Sequence, residues 1–198
     1  EGFDRISKVF PEAQISFSNS PKGFTDHVVV TIPAQDLIPV LTFLRDDSFY
    51  QCETLIDICA SDFPQFENRF MVNYHLLSID LVRRINVQVW TDEETPLDSV
   101  TSIFKSAGWY EREVFDLFGV FFNGNPDLRR ILSDYGFQGH PMRRDFPLTG
   151  YYEIRYDESQ KRIVSENVEL AQSFRSFDFS SPWDQSVEHN IIEKKPGV

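Results

Sequence analysis

Residues 111–157 constrain this chain more than any other stretch. They read Glu111-Arg112-Glu113-x-x-Asp116-x-Phe118-Gly119, then Gly124-Asn125-Pro126-Asp127-Leu128-Arg129-Arg130-Ile131-Leu132. Asp134-Tyr135-Gly136-Phe137-x-Gly139-His140-Pro141 follows, then Arg143-Arg144-Asp145-Phe146-Pro147-Leu148-x-Gly150-Tyr151 and Tyr152-Glu153-Ile154-Arg155-Tyr156-Asp157. Charges, aromatics and Gly/Pro breakers alternate here with neither a strand period nor a helical one. The density of Phe, Tyr and Leu is equally foreign to disorder. An ordered segment without regular structure must still satisfy its backbone and its apolar side chains. The expected place is the surface of another protein.

Upstream the periodicity is regular. Phe3, Ile6 and Phe10 predict a short amphipathic helix over 1–10, and residues 13–18 and 25–32 read as strands, with Val28, Val30 and Ile32 on one face. Pro33 opens a helix through Asp46 that carries a Leu37, Leu41, Leu44 stripe. Strands follow at 53–60 (Ile56, Ile58 and Ala60 against Asp57), 69–78 (Val72, Tyr74 and Leu76 against Asn73 and His75) and 82–90 (Ile85, Val87 and Val89 against Asn86 and Gln88). Such alternation favours antiparallel pairing, with one face packed and one wet or covered by a partner. Thr95-Pro96-x-Asp98 reads as a helix start leading to Val100, Ile103 and Phe104. Gly108 interrupts that helix; a second runs from Trp109 to Phe118 and stops at Gly119, beyond which only scattered turns are expected. The expected fold is α+β: a small, mostly antiparallel sheet with flanking helices over residues 1–119, then a long irregular C-terminal tail over 120–198. A structureless stretch of that length does not suit the inside of a compact domain, so it is expected to extend over neighbouring subunits.

Composition narrows the function. The net charge is −12, with nineteen acidic and nine basic residues before position 120 and twelve and ten after it. That balance argues against nucleic acid and anionic lipid. No apolar run reaches the roughly 18 residues of a membrane span, and no signal or transit segment is legible. Cys52 and Cys59 are the two cysteines. They form no CxxC or Cys/His cluster for an iron–sulfur centre and read as two small, buried or half-buried thiols. The glycines of 119–150 form neither a P-loop nor GxGxxG.

The 111–157 run closely resembles, at matching spacing, the signature of the 30-kDa (C) subunit family of respiratory complex I, the NADH:ubiquinone oxidoreductase. Tyr152-Glu153-Ile154-Arg155-Tyr156-Asp157 further resembles its mitochondrial and proteobacterial branch. Asn125 departs from the pattern, standing where the family usually has His, so no role needing an imidazole there carries over. The resemblance implies a structural, assembly subunit of the peripheral arm with no catalytic residues of its own. It would pack on the 49-kDa subunit and neighbouring iron–sulfur subunits, on the matrix side of the mitochondrial inner membrane. The flavin and clusters would be carried by other subunits, and none by this chain. The alternatives are the equivalent subunit of a photosynthetic NDH or hydrogenase complex, and a stand-alone hydrolase using Asp134, His140 and Asp145.

Each candidate residue has a plain reading beside the sharp one. Glu111 and Glu113 diverge around a helix and cannot share a proton or a metal. Arg112 and Asp116 stand four apart and suit a surface pair. On physics alone this is a solvated helix face; the resemblance makes it a docking helix. Arg129, Arg130, Arg143 and Arg144 sit among Leu128, Ile131, Leu132, Phe137 and Phe146, company that suits partly desolvated interface arginines. His140, in a Gly/Pro turn, is read as structural rather than as a proton carrier. Trp183, Phe177 and Phe179 are read as anchors for partner pockets.

Overall fold

The computed structural model describes residues 4–18 and 27–175. A short helix α1 (Asp4–Val9) precedes strands β1 (Gln14–Ser18) and β2 (His27–Ile32), then α2 (Leu37–Asp46), which is entered through a 3-10 turn at Ala34–Asp36. Strands β3 (Thr54–Asp62), β4 (Phe70–Ser78) and β5 (Arg83–Thr91) complete a five-stranded sheet of order β1-β2-β5-β4-β3. Within this sheet only the β2–β5 pair is parallel. The expected α+β class is therefore observed.

The predicted alternation builds the core. Val28, Val30 and Ile32 of β2, Ile85, Val87 and Val89 of β5, and Phe70, Val72, Tyr74 and Leu76 of β4 are buried in one cluster with Leu37, Val40, Leu41 and Leu44 of α2. β3 departs from its expected face. A register shift between Leu55 and Asp57 buries Leu55 and Ile58 and leaves Ile56 exposed. A bulge inserts one residue and swaps the faces on either side of it, which a period count cannot foresee.

The helix expected from Thr95 does not form. Leu97–Asp98 is instead a two-residue strand, β6, parallel to β7 (Phe122–Asn123). The amides that would begin a helix are taken elsewhere: Leu97 donates to the Phe121 carbonyl, Ser99 to that of Asn123, and Val100 to the Glu111 carboxylate. Val100 and Phe104 are buried even so, carried by turns. Helix α3 runs Ala107–Phe118 and includes Gly108, where an added Cβ would meet only Thr101 Cγ2, at 3.6 Å. It ends as expected at Gly119, left-handed with φ 81°.

By its internal contacts the chain divides into Glu1–Gly150 and Tyr151–Val198, not near residue 120. Residues 120–150 carry little regular structure, yet they are bonded into the first unit. The second unit holds a hairpin of β8 (Tyr152–Asp157) and β9 (Arg162–Asn167) where only turns were expected. Among the described residues, no helix is long and apolar enough to cross a membrane. Cys52 is buried just before β3, burial pushing its thiol up to about 11 against a small opposing effect of Arg83, and Cys59 lies half-buried on β3; both are free.

Candidate functional site

Three buried carboxylates organise the signature run. The first is Asp116, fully buried on α3. One of its oxygens accepts the backbone amides of Ile131, Leu132 and Ser133 at 3.1, 2.7 and 2.8 Å. The other takes the Ser133 hydroxyl and, at 2.9 Å, the Arg130 guanidinium. Burial would raise this acid, but the Ser133 hydroxyl and amide, the Leu132 amide and Arg130 outweigh it and hold the group well below the usual carboxylate range.

The same segment closes the end of α3. A helix leaves its last carbonyls without internal partners. Here Gly119 N–H serves Phe115, His140 Nδ1 serves Asp116 at 2.9 Å, Met142 N–H serves Leu117 at 3.0 Å, and Arg143 Nε serves Phe118 at 2.6 Å. Arg130 also links the Gly139 carbonyl, at 2.9 Å, to Asp116. Guanidinium groups at a helix C-terminus also meet the favourable end of its dipole, worth about 0.3–1 kcal/mol each. The partner of His140 Nδ1 is a carbonyl, so that nitrogen carries the proton and donates. Burial lowers its pKa, with Arg143 and Arg130 adding to the effect against the bond to Asp116. A Cβ at position 119 would come within 2.6 Å of both His140 and Arg143, so only glycine permits this closure.

The second carboxylate, Asp62, lies at the end of β3. Arg69 grips it with two bonds of 2.6 and 2.8 Å, and the Arg144 amide adds a third at 2.7 Å. Arg69 also reaches Glu93 and Asp145, and Glu93 bridges to Arg143 at 3.0 Å. Both arginines lie over the Phe70 ring. The Arg69 bond holds Asp62 below its ordinary range against its burial. The third, Glu111, is fully buried and accepts Ser99 Oγ and Val100 N–H, both at 2.8 Å, and Asn125 Nδ2 at 2.6 Å. Burial raises its pKa in spite of these donors. Burial, aided by the Glu111 charge, also pushes the Tyr74 phenol well above its normal range, and the Tyr74 hydroxyl is left unpartnered.

The family described as respiratory-chain NADH dehydrogenase, 30 Kd subunit, matches residues 30–152. NADH-ubiquinone oxidoreductase subunit 9 of Reclinomonas americana is 51% identical over 192 residues, covering 96% of this chain and 92% of that protein. The chain belongs to the 30-kDa subunit family of respiratory-chain NADH dehydrogenase. An NADH-quinone oxidoreductase subunit of Paramagnetospirillum magneticum is 56% identical over 155 residues, 78% of each chain. Among solved structures, a chain of the membrane-bound sulfane sulfur reductase, an archaeal respiratory membrane complex, aligns with TM-score 0.61 and 25% identity, over 73% of this chain and 83% of that one.

In this member of the 30-kDa subunit family the predicted residues divide into two sets. Glu111, Asp116, Arg130, His140 and Arg143 face inward and bond to their own chain. The helix face expected to be solvated is thus largely buried. Asp116 pairs with Arg130 rather than with Arg112. Arg112 turns to Asp127 at 2.9 Å and lies over Trp109, with its Nε buried and unpartnered. Arg129 and Arg144 have exposed side chains, although Arg129 also bonds Asp127 at 3.1 Å, and Glu113 is half-buried. Trp183, Phe177 and Phe179 lie outside the described residues. Asp134, His140 and Asp145 are engaged separately: Asp134 with the Tyr135 amide, His140 with the Asp116 carbonyl, Asp145 with Arg69. Among the described residues no group of three or more His, Cys, Asp or Glu is placed to hold a metal. Sequence reasoning missed Asp62, Arg69 and Glu93 because their partners lie up to 82 residues away. Asp62 was legible only as a charge at the end of an apolar strand.

Proposed function

We propose that this chain is a non-catalytic architectural subunit of the peripheral arm of NADH:ubiquinone oxidoreductase, on the matrix side of the mitochondrial inner membrane. It docks on the 49-kDa subunit and beside the iron–sulfur subunits that pass electrons toward quinone. Flavin and clusters belong to those neighbours. Its work is to hold redox subunits at fixed spacing.

One observation carries this reading. Buried carboxylates fasten an aperiodic segment to the domain, and that segment then turns Leu132, Tyr135, Met142 and Leu148 outward, each more than half exposed. Exposed apolar side chains on a rigid frame suit a protein interface. Arg129 and Arg144 stand near them in sequence, with exposed side chains able to reach partner carboxylates or carbonyls.

The test sets abundance against rate. Tyr135→Ala and Arg144→Ala should lower the amount of assembled complex on native gels, with near-normal quinone reduction per assembled complex. His140→Ala should behave likewise, through loss of the α3 closure. Normal abundance with an abolished rate would sink the architectural reading and require a proton-transfer or catalytic role.

A further inference from the structure

The described part of the second unit has no core. None of residues 151–175 is buried, and their regular structure is the β8–β9 hairpin alone. A lone two-stranded hairpin is marginally stable in water. Its two faces differ sharply in chemistry. Directly opposed residues of antiparallel strands share a face. The register Tyr152↔Asn167, Ile154↔Ser165 and Tyr156↔Ile163 therefore makes one face wholly uncharged. The pairs Glu153↔Glu166, Arg155↔Val164 and Asp157↔Arg162 make the other face charged but for Val164. Arg155 grips Glu166 across that face at 2.6 and 2.9 Å. Tyr152, Ile154, Tyr156 and Ile163 are each more than half exposed. The charged face suits water, whereas the uncharged one presents side chains that water disfavours.

We propose that the Tyr152, Ile154, Tyr156 and Ile163 face of this hairpin is a docking surface for an uncharged, apolar patch on another protein subunit of the same assembly, with the opposite face left in solvent. This deepens the architectural reading and rests on it. Charge selects protein over the alternatives. The docking face offers no Lys or Arg to a phosphate, and the chain's net charge of −12 repels anionic lipid and nucleic acid alike. Tyrosine suits the role, since its ring supplies contact area and its hydroxyl keeps a hydrogen-bond partner at the rim. The absence of any buried residue in 151–175 makes the hairpin's order depend on what covers that face.

The experiment uses the tagged full-length chain in its native membranes. A photoreactive benzoylphenylalanine replaces Tyr152, Tyr156 or, as the opposite-face control, Arg155. After irradiation the complex is purified through the tag and adducts are identified by mass. Positions 152 and 156 should both cross-link to one and the same co-purifying subunit, roughly tenfold above the yield at 155. Adding Ile154→Asp should lower the position-156 adduct by a similar factor, whereas Val164→Asp should leave it intact. Adducts to lipid, adducts to a second copy of this chain, or equal yields from all three positions would each overturn the proposal. The two readings fail differently. A chain that purifies alone refutes the assembly role itself. A chain that purifies with the NADH-oxidising complex but gives no subunit adduct from 152 and 156 refutes only the docking face.

Discussion

Residues 120–150 and 151–175 are both poor in core-forming periodicity, yet they are held in different ways. The first segment has little regular structure, but its backbone is bound by carboxylates planted on regular elements: Asp116 on α3, and Asp62 on β3. The second has a regular hairpin, but among its described residues none is buried. Hydrogen-bonded regularity is thus neither necessary nor sufficient for anchoring. A carboxylate buried without donors is costly, so Asp116 and the amides of residues 131–133 require each other. Among the described residues the hairpin has no such buried carboxylate, and Tyr152, Ile154, Tyr156 and Ile163 are each more than half exposed.

The largest expected effect breaks the first of these arrangements. Asp116→Ala leaves three amides without their acceptor and strips Arg130 of its buried carboxylate, and should cost about 3–5 kcal/mol of unfolding free energy in urea. A loss below about 1 kcal/mol would show that the segment is held by other means. Asp62→Ala should cost somewhat less, roughly 2–4 kcal/mol, because Arg69 keeps Glu93 and Asp145 as partners. Ile154→Asp supplies the contrast. In the isolated chain it should shift the main transition by no more than about 0.5 kcal/mol, since its side chain is already in water.

The three acids also separate by pH. The folded pKa of Asp116 and Asp62 is depressed, so their contribution is present above the ordinary carboxylate value and lost as pH falls below about 4. Glu111 has the opposite sign. Its folded pKa is raised, so its contribution is greatest below the unfolded value and declines as pH rises through the folded one. Glu111→Gln should therefore flatten the decline in stability as pH rises above the ordinary glutamate value of about 4.3, while leaving the acid limb intact. An unchanged slope above that value would contradict the assignment. The smallest effect belongs to Asn125→His. Asn125 donates to Glu111 and accepts the Asp127 amide, and an imidazole offers one donor and one acceptor. The exchange should stay within about 1 kcal/mol, measured by the same unfolding titration.

Much of the fold was legible in the residues alone. The alternation in β2, β4 and β5, the leucine stripe of α2 and the glycine stop at 119 are local patterns, and each appears where expected. Tyr152-Glu153-Ile154-Arg155-Tyr156-Asp157 also alternates apolar with charged, so the hairpin's signal was present, although only turns were expected there. The start at Thr95 failed because its capping chemistry also serves a turn, and the choice fell to distant groups, the Phe121 and Asn123 carbonyls and the Glu111 carboxylate.

By itself the sequence determined the periodic elements, the family and the aperiodic run, because propensity, period and spacing act between near neighbours or can be matched letter by letter. Only the tertiary structure decided which charges of that run turn inward. A helical Glu or Asp reads as solvated until the donors that surround it are known. For Asp116 those donors arrive from 14 to 17 residues downstream, and for Asp62 from as far as 82. Desolvation and its compensation depend on everything packed around a group, and no local pattern carries that information.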